Sequence, residues 1–114
     1  MDINHSENDW GILVQPRGDL DIASRQELSE LPCLSNCRNN VIIDLAEVDY
    51  MDSSGLGALV QVIRLFRKEN YDLILCSPTK SIEQLLQFTS VDKIVRIFEN
   101  REQAIEALLE SKNI

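Results

Sequence analysis

Residues 41–66, VIIDLAEVDYMDSSGLGALVQVIRLF, read as a strand, a loop and a helix in succession. The apolar run at 41–45 is short, β-branched and free of Gly and Pro, which predicts a buried strand. A polar break follows and ends in the DSSG of residues 52–55. Apolar residues then recur at helical spacing, which predicts a helix from Ser54 to about Asn70 with one continuous apolar face. The unit places hydroxyls and a carboxylate at a helix N-terminus, at the carboxyl end of a strand, where α/β sheets bind ligands and partners.

The polar side chains of this loop have two interpretations. Ser and Asp are strong N-cap residues, because their side-chain oxygens accept hydrogen bonds from the free N–H groups of the first turn. One cap needs one oxygen, however, and here Asp52, Ser53 and Ser54 stand in a row. The alternative is that a hydroxyl stays available to another molecule or accepts a phosphate, which the positive end of the helix dipole would tolerate.

Two glycines lie in the predicted first turn of the helix. Gly55 and Gly57 each cost about 1 kcal/mol of helix propensity relative to Ala. Bare side-chain space at these positions would let another molecule approach the backbone closely.

Residues 41–60 resemble the signature of the STAS domain, the family of bacterial anti-sigma factor antagonists: an apolar strand with an Asp, a short link, and Asp-Ser-Ser-Gly-Leu-Gly opening a helix. The GDLD at 18–21 is similar to the Gly-Glu-Leu-Asp that precedes the family's first helix. LILCSP at 73–78 and residues 82–108 resemble its C-terminal half. The resemblance covers the chain from about Trp10 to Leu109. Two residues depart from the family pattern. Ser90 lies where the family often has Gly, and Pro32 interrupts a helix that is usually longer in the family.

The resemblance implies a binding protein controlled by phosphorylation. Unphosphorylated, such a protein binds an anti-sigma factor and frees a sigma factor. The partner is typically a serine kinase of the histidine-kinase-like ATPase fold, which phosphorylates the first serine of the loop, here Ser53, and a PP2C-type phosphatase reverses the step. Ser54 is expected to be a cap or a hydrogen-bond partner. The partner-facing residues it implies are Asp21, Asp52, Ser53, Ser54, Gly55, Leu56, Gly57 and Ser77.

Two other functions stay open at the level of sequence, and a third is disfavoured. The chain could serve another bacterial signalling switch or stress scaffold. It could bind a nucleotide, using the helix N-terminus as an anion site. An enzyme with a serine nucleophile is disfavoured, because only carboxylates and distant lysines are available to act as the base.

Composition and charge limit the number of domains and the class of protein. The 114 residues suit one domain, and 44% hydrophobic with 26% charged residues is typical of a globular chain. A net charge of −8 disfavours direct nucleic-acid binding. Apolar runs are too short for a membrane span, and the polar, acidic start has no features of an export signal, so we expect a cytoplasmic protein that does not enter a membrane.

Cysteine and histidine content argues against metal and cofactor chemistry. Three cysteines do not form a disulfide framework, and Cys33 and Cys37 lack a second Cys/His pair for a metal. His5, the only histidine, is expected to be solvated near the N-terminus, so Ser-His-Asp and Cys-His mechanisms lack their base. No phosphate-binding loop or dinucleotide motif occurs. We therefore predict no catalytic residue, metal or cofactor.

The rest of the chain alternates strands and helices. Residues 1–9 are a polar segment or a short first strand, and 10–14 are a strand that Pro16 ends or places at an edge. Asp21 is the expected N-cap of a helix that buries Leu28 and Leu31, and residues 31–40 are an irregular link.

The C-terminal half follows the same alternation. We predict strands at 73–76 and 94–98, with Ser77 capping the helix between them ahead of Pro78. Asn100 and Gln103 predict a capping box for a terminal helix, with a tail at 111–114. The buried residues of this terminal helix are expected to be Ala104, Ile105, Leu108 and Leu109. The predicted fold is α/β: a single small STAS-type domain over residues 10–110, with a mostly parallel mixed sheet of four to five strands and about four helices. The family adds an antiparallel N-terminal strand and uneven helix cover.

Overall fold

The computed structural model describes residues 1–112, the last two, 111 and 112, by their backbone alone. The expected tail at 111–114 therefore falls partly outside the described residues, and helix α5 reaches Lys112. In chain order the elements are β1 (Asp2–Asn8), β2 (Gly11–Leu20), α1 (Arg25–Ser29), α2 (Pro32–Ser35), β3 (Val41–Asp44), β4 (Val48–Met51), α3 (Ser53–Lys68), β5 (Leu73–Cys76), α4 (Lys80–Phe88), a 3₁₀ turn (Val91–Lys93), β6 (Arg96–Phe98) and α5 (Arg101–Lys112).

The six strands form one mixed sheet in the order β1-β2-β3-β5-β6, and β4 pairs with the far end of β2. β1 runs antiparallel to β2, and the other pairings are parallel. This confirms the predicted α/β fold with a mostly parallel mixed sheet. The sheet has more strands than expected, because the polar break before the loop contains β4 and the N-terminal segment forms β1.

Helices cover the two faces of the sheet unequally. One face packs against α1, α2, α3 and α4, and its core includes Leu28, Leu34, Leu59 and Leu86. The other face packs against α5 alone. Because both faces are covered, β3 and β5 are buried at every position, as expected of parallel strands.

Strand β2 does not end at Pro16. Pro16 pairs with Ile3 of β1 and lies between the last residue paired with β3, Val14, and the first paired with β4, Gly18. The missing N–H of proline is therefore tolerated inside this strand, because no parallel neighbour is paired there.

Two helix starts differ from the prediction. α1 begins at Arg25, several residues after Asp21, and α4 is capped by Thr79, whose Oγ1 accepts from the Ile82 N–H at 3.3 Å. The predicted cap, Ser77, instead adopts a left-handed φ of 57°, and its N–H donates to the Phe98 carbonyl at 2.9 Å. Pro32 does interrupt the first helix, but it opens the short helix α2 rather than an irregular link.

The last strand and helix are close to expectation. β6 is shorter than predicted, because residues 91–94 form a 3₁₀ turn and its end. The Asn100 Oδ1 accepts from the Gln103 N–H at 2.9 Å, and the Gln103 Oε1 reaches the N–H of Glu99 at 3.3 Å rather than that of Asn100. Leu109, predicted to be buried, is 44% exposed.

Candidate functional site

The loop between β4 and α3 is held by the carboxylate of Asp52. Its Oδ1 accepts from the Gly55 N–H at 2.8 Å, which caps α3. Its Oδ2 accepts from the Ile22 N–H at 3.2 Å, in the turn that follows β2. Asp52 therefore joins the start of α3 to the turn that leads into α1.

The turn at residues 21–24 has its own set of hydrogen bonds. The Asp21 Oδ1 accepts from the N–H groups of Ala23 and Ser24 at 3.0 and 3.1 Å. The buried hydroxyl of Ser24 donates to the Asp19 carbonyl at 2.6 Å. The prediction that Asp21 is the N-cap of this helix is therefore wrong: its carboxylate satisfies N–H groups of the turn, and Ser24 occupies the N-cap position of α1.

The two serines of the loop are not needed as caps. α3 begins at Ser53 rather than Ser54, with Asp52 as its N-cap, so the expectation that Ser54 caps the helix is wrong. Ser53 is exposed and Ser54 is half-buried. Among the described residues, neither hydroxyl makes a hydrogen bond. Both are therefore chemically available at the surface.

The two glycines of the first turn have different reasons to be glycine. A Cβ on Gly55 would lie 2.0 Å from the Leu20 carbonyl oxygen, so its space is filled by the chain itself. A Cβ on Gly57 would meet nothing within 4 Å. The expected open space for another molecule therefore exists at Gly57 and not at Gly55.

A groove of about 440 Å³ runs between α1 and the first turns of α3. Ser53, Ser54 and Gly57 line it from α3, and Arg25, Gln26 and Glu30 line it from α1. A larger cavity of about 690 Å³ follows β6, and none of the expected site residues lines it.

Five of the eight expected site residues do not line this groove, and two of these five, Leu56 and Ser77, have other roles in the fold. Leu56 is half-buried and packs against the core, so it supports α3 from beneath. Ser77 follows β5, and its backbone N–H donates to the Phe98 carbonyl of β6. The described residues therefore place Ser53, Ser54 and Gly57 around one groove. Asp21 lies in the adjoining turn, to which Asp52 is hydrogen-bonded, and Gly55, Leu56 and Ser77 do not line the groove.

Exposed apolar and acidic side chains surround the loop. Ile22, in the turn at residues 21–24, is 69% exposed, and Tyr50, in β4 two residues before Asp52, is 55% exposed. Asp19, near the end of β2, and Asp49, in β4, are also exposed. The surface at the paired ends of β2 and β4 is therefore acidic with large apolar side chains, a mixture suited to a protein partner.

The groove offers little for catalysis or for free anions. Its lining residues include no histidine, cysteine or lysine, so Glu30 is the only side chain there that could act as a base for a serine nucleophile. Asp52 places a negative charge at the N-terminus of α3 and takes the Gly55 N–H, which disfavours a free phosphate or nucleotide at that point. Within the described residues, no group of three or more His, Cys, Asp or Glu side chains could hold a metal ion.

The cysteines lie elsewhere and are poorly suited to react. Burial, followed by the nearby charge of Asp44, raises the pKa of the Cys76 thiol to about 11. Burial also raises the pKa of Cys33 and Cys37. All three are free thiols. Thiols that stay protonated at neutral pH are weak nucleophiles and weak metal ligands.

The α1 side of the groove was not predicted from sequence. Arg25 and Gln26 are absent from the predicted site because the prediction starts the first helix at Asp21, whereas α1 begins at Arg25. The signal that was available is the charge pattern: Arg25 is the one basic residue between Arg17 and Arg38.

The fold and site define a small α/β domain with an exposed serine at the start of a helix that another residue caps. A family model, the STAS domain, matches residues 1–104, and the chain belongs to this family. No helix in the described part of the chain is long and apolar enough to cross a bilayer.

Known proteins of this family include anti-sigma factor antagonists. The anti-sigma-B factor antagonist of Staphylococcus epidermidis is 29% identical over 91 residues, which is 78% of this chain and 84% of that protein. A crystal structure of an anti-sigma factor antagonist from Mycobacterium paratuberculosis has a TM-score of 0.84 at 18% identity, covering 94% and 92% of the two chains. The phosphorylated form of the Bacillus cell fate determinant SpoIIAA has a TM-score of 0.70 at 17% identity, covering 94% and 99%.

Proposed function

We propose that this chain is an anti-sigma factor antagonist whose binding is switched by phosphorylation of Ser53. One observation carries the proposal: Asp52 already caps α3, so the exposed Ser53 hydroxyl has no structural task and can be modified without loss of the fold. Ser54 is half-buried beside it and is the less accessible of the two.

The partner we propose is an anti-sigma factor that is also a serine kinase of the histidine-kinase-like ATPase fold. It would transfer the γ-phosphoryl group of ATP to the Ser53 oxygen, releasing ADP and the hydroxyl proton. A PP2C-type phosphatase would hydrolyse the ester. Both reactions and the sigma factor belong to the cytoplasm, where we place the protein. The names of its relatives support the partner class, and the phosphorylated SpoIIAA structure supports the modification.

The switch needs no change of fold. A phosphate adds about −1.5 to −2 charges beside the Asp52 carboxylate, on a chain that already carries −8. At an interface this charge must be desolvated or repelled, which can cost several kcal/mol. Each 1.4 kcal/mol is a tenfold loss of affinity. Steric and electrostatic exclusion of the partner is therefore sufficient.

The site assignment is tested by labelling with the cognate kinase and ATP. The wild-type chain and Ser54→Ala should each gain one phosphate, mapped to Ser53 by mass spectrometry, and Ser53→Ala should gain none. Ser81→Ala, which alters an exposed serine on α4, is the matched control and should label like wild type. Labelling of Ser53→Ala at the wild-type rate would show that another residue is the acceptor.

A further inference from the structure

We propose that Arg25 is the residue that receives the phosphate: once Ser53 is phosphorylated, the phosphate turns into the groove between α1 and α3 and forms an ion pair with the Arg25 guanidinium. This inference rests on the proposed function for its biological meaning. Its physical content, a contact within the chain itself, can be tested without any partner.

The two residues are brought together by the hydrogen bond between Asp52 and Ile22. That bond, 3.2 Å from the Ile22 nitrogen to Oδ2, holds the starts of α1 and α3 side by side. Ser53 follows Asp52 directly, and Arg25 is the first residue of α1. Both side chains line the same groove of about 440 Å³.

Charge favours this direction for the phosphate. On the side of the 21–24 turn, the phosphate would meet the carboxylates of Asp52 and Asp21. If the phosphate points into the groove, it meets Arg25, the only cationic residue in the lining. Glu30 is the one carboxylate there. A tethered phosphate does not need the affinity that a free anion would, because the ester bond already holds it close.

Arg25 is free to make the contact. Its guanidinium has no ion pair or hydrogen bond within the described residues, where the ion pairs are those of Arg101 with Asp44 and of the N-terminus with Glu27. Gly57 leaves open space one turn beyond Ser53, on the same side of α3. A guanidinium is also the side chain best matched to phosphate oxygens, through paired hydrogen bonds.

The test uses chain with phosphoserine incorporated genetically at position 53, so no kinase is needed. The second pKa of the phosphate is read from the ³¹P chemical shift as a function of pH. A neighbouring cation stabilises the dianion, so this pKa should be about half a unit to one unit lower in wild type than in Arg25→Gln. Arg25→Lys should recover part of the shift. Arg64→Gln, which removes an exposed arginine of α3 outside the groove lining, should titrate like wild type.

Two results would overturn the contact: identical titrations of wild type and Arg25→Gln, or an equal shift in Arg64→Gln, which would reveal only a long-range effect of net charge. Failure of the kinase to label Ser53 bears on the proposed function and leaves this titration unaffected. The two proposals therefore fail separately.

Discussion

The backbone of Leu20 fills the place where Gly55 would carry a side chain. A Cβ at position 55 would lie 2.0 Å from the Leu20 carbonyl oxygen and 2.6 Å from its carbonyl carbon. This close approach is what lets α3 begin directly against the end of β2, with Ser53 at the surface. The position of Ser53, the proposed phosphorylation site, is thus set by a contact between two other residues.

Gly55→Ala should therefore destabilise the domain strongly, by about 2 kcal/mol or more, because backbone atoms must move to admit the methyl group. Gly57→Ala is the matched control: the methyl group meets open space, and the gain in helix propensity should stabilise the chain by up to about 1 kcal/mol. Urea unfolding of the two variants measures both effects. Equal stability of the two variants would contradict this reading of the α3 start.

Asp52 is expected to stabilise the fold through both of its carboxylate oxygens. Asp52→Ala should lose the cap and the link to the turn, at a cost of about 1–2 kcal/mol. Asp52→Asn keeps one acceptor for the Gly55 N–H and should lose less. Amide hydrogen exchange should show faster exchange at Gly55 and Ile22 in the alanine variant. If only Gly55 responds, Asp52 does not hold the turn.

The ion pair of Asp44 and Arg101 should anchor α5. Asp44 is 7% exposed and accepts from Arg101 Nε and a terminal nitrogen at 3.2 and 2.8 Å. Arg101→Met leaves a buried carboxylate without its cation, which should cost about 1–3 kcal/mol. Arg96→Met, at an exposed position, should cost little. Denaturant midpoints measure the stability of the two variants. Similar losses of stability in both would show that the Asp44–Arg101 ion pair does not anchor α5.

Cys76 should make the stability of the domain fall at alkaline pH. Its pKa is raised by burial from an ordinary 9.0 to about 11 in the folded chain. Between these values the unfolded chain releases this proton and the folded chain keeps it, so unfolding becomes more favourable as pH rises. The loss of unfolding free energy between about pH 9 and 11 should be smaller in Cys76→Ala than in wild type. If Cys76→Ala shows the same pH dependence as wild type, the loss of stability at alkaline pH comes from other groups.

The parts of the fold predictable from sequence are those with strong periodicity. β3, α3 and β5 were placed within a residue or two, because long apolar runs and helical spacing do not depend on distant contacts. β4 was missed: its four residues are buried, exposed, exposed and buried, which breaks the alternation of a strand. It pairs with β2 across an irregularity between Gly18 and Asp19, a tertiary feature that no local pattern reveals.

The site was predictable in its centre and not at its borders. The row Asp52, Ser53, Ser54 marked the loop, but only the structure shows which oxygen is the cap. The roles of Gly55 and Arg25 depend on neighbours remote in sequence, Leu20 and the α3 side of the groove. Local chemistry identifies which residues can act, and packing decides which of them remain free.

The most direct test of the central claim is the affinity of the cognate anti-sigma kinase for the chain with and without phosphoserine at position 53. We predict that the phosphorylated chain binds at least about 100-fold more weakly, a difference of about 2.7 kcal/mol, with an unchanged circular dichroism spectrum. Equal affinities for the two forms would contradict the account.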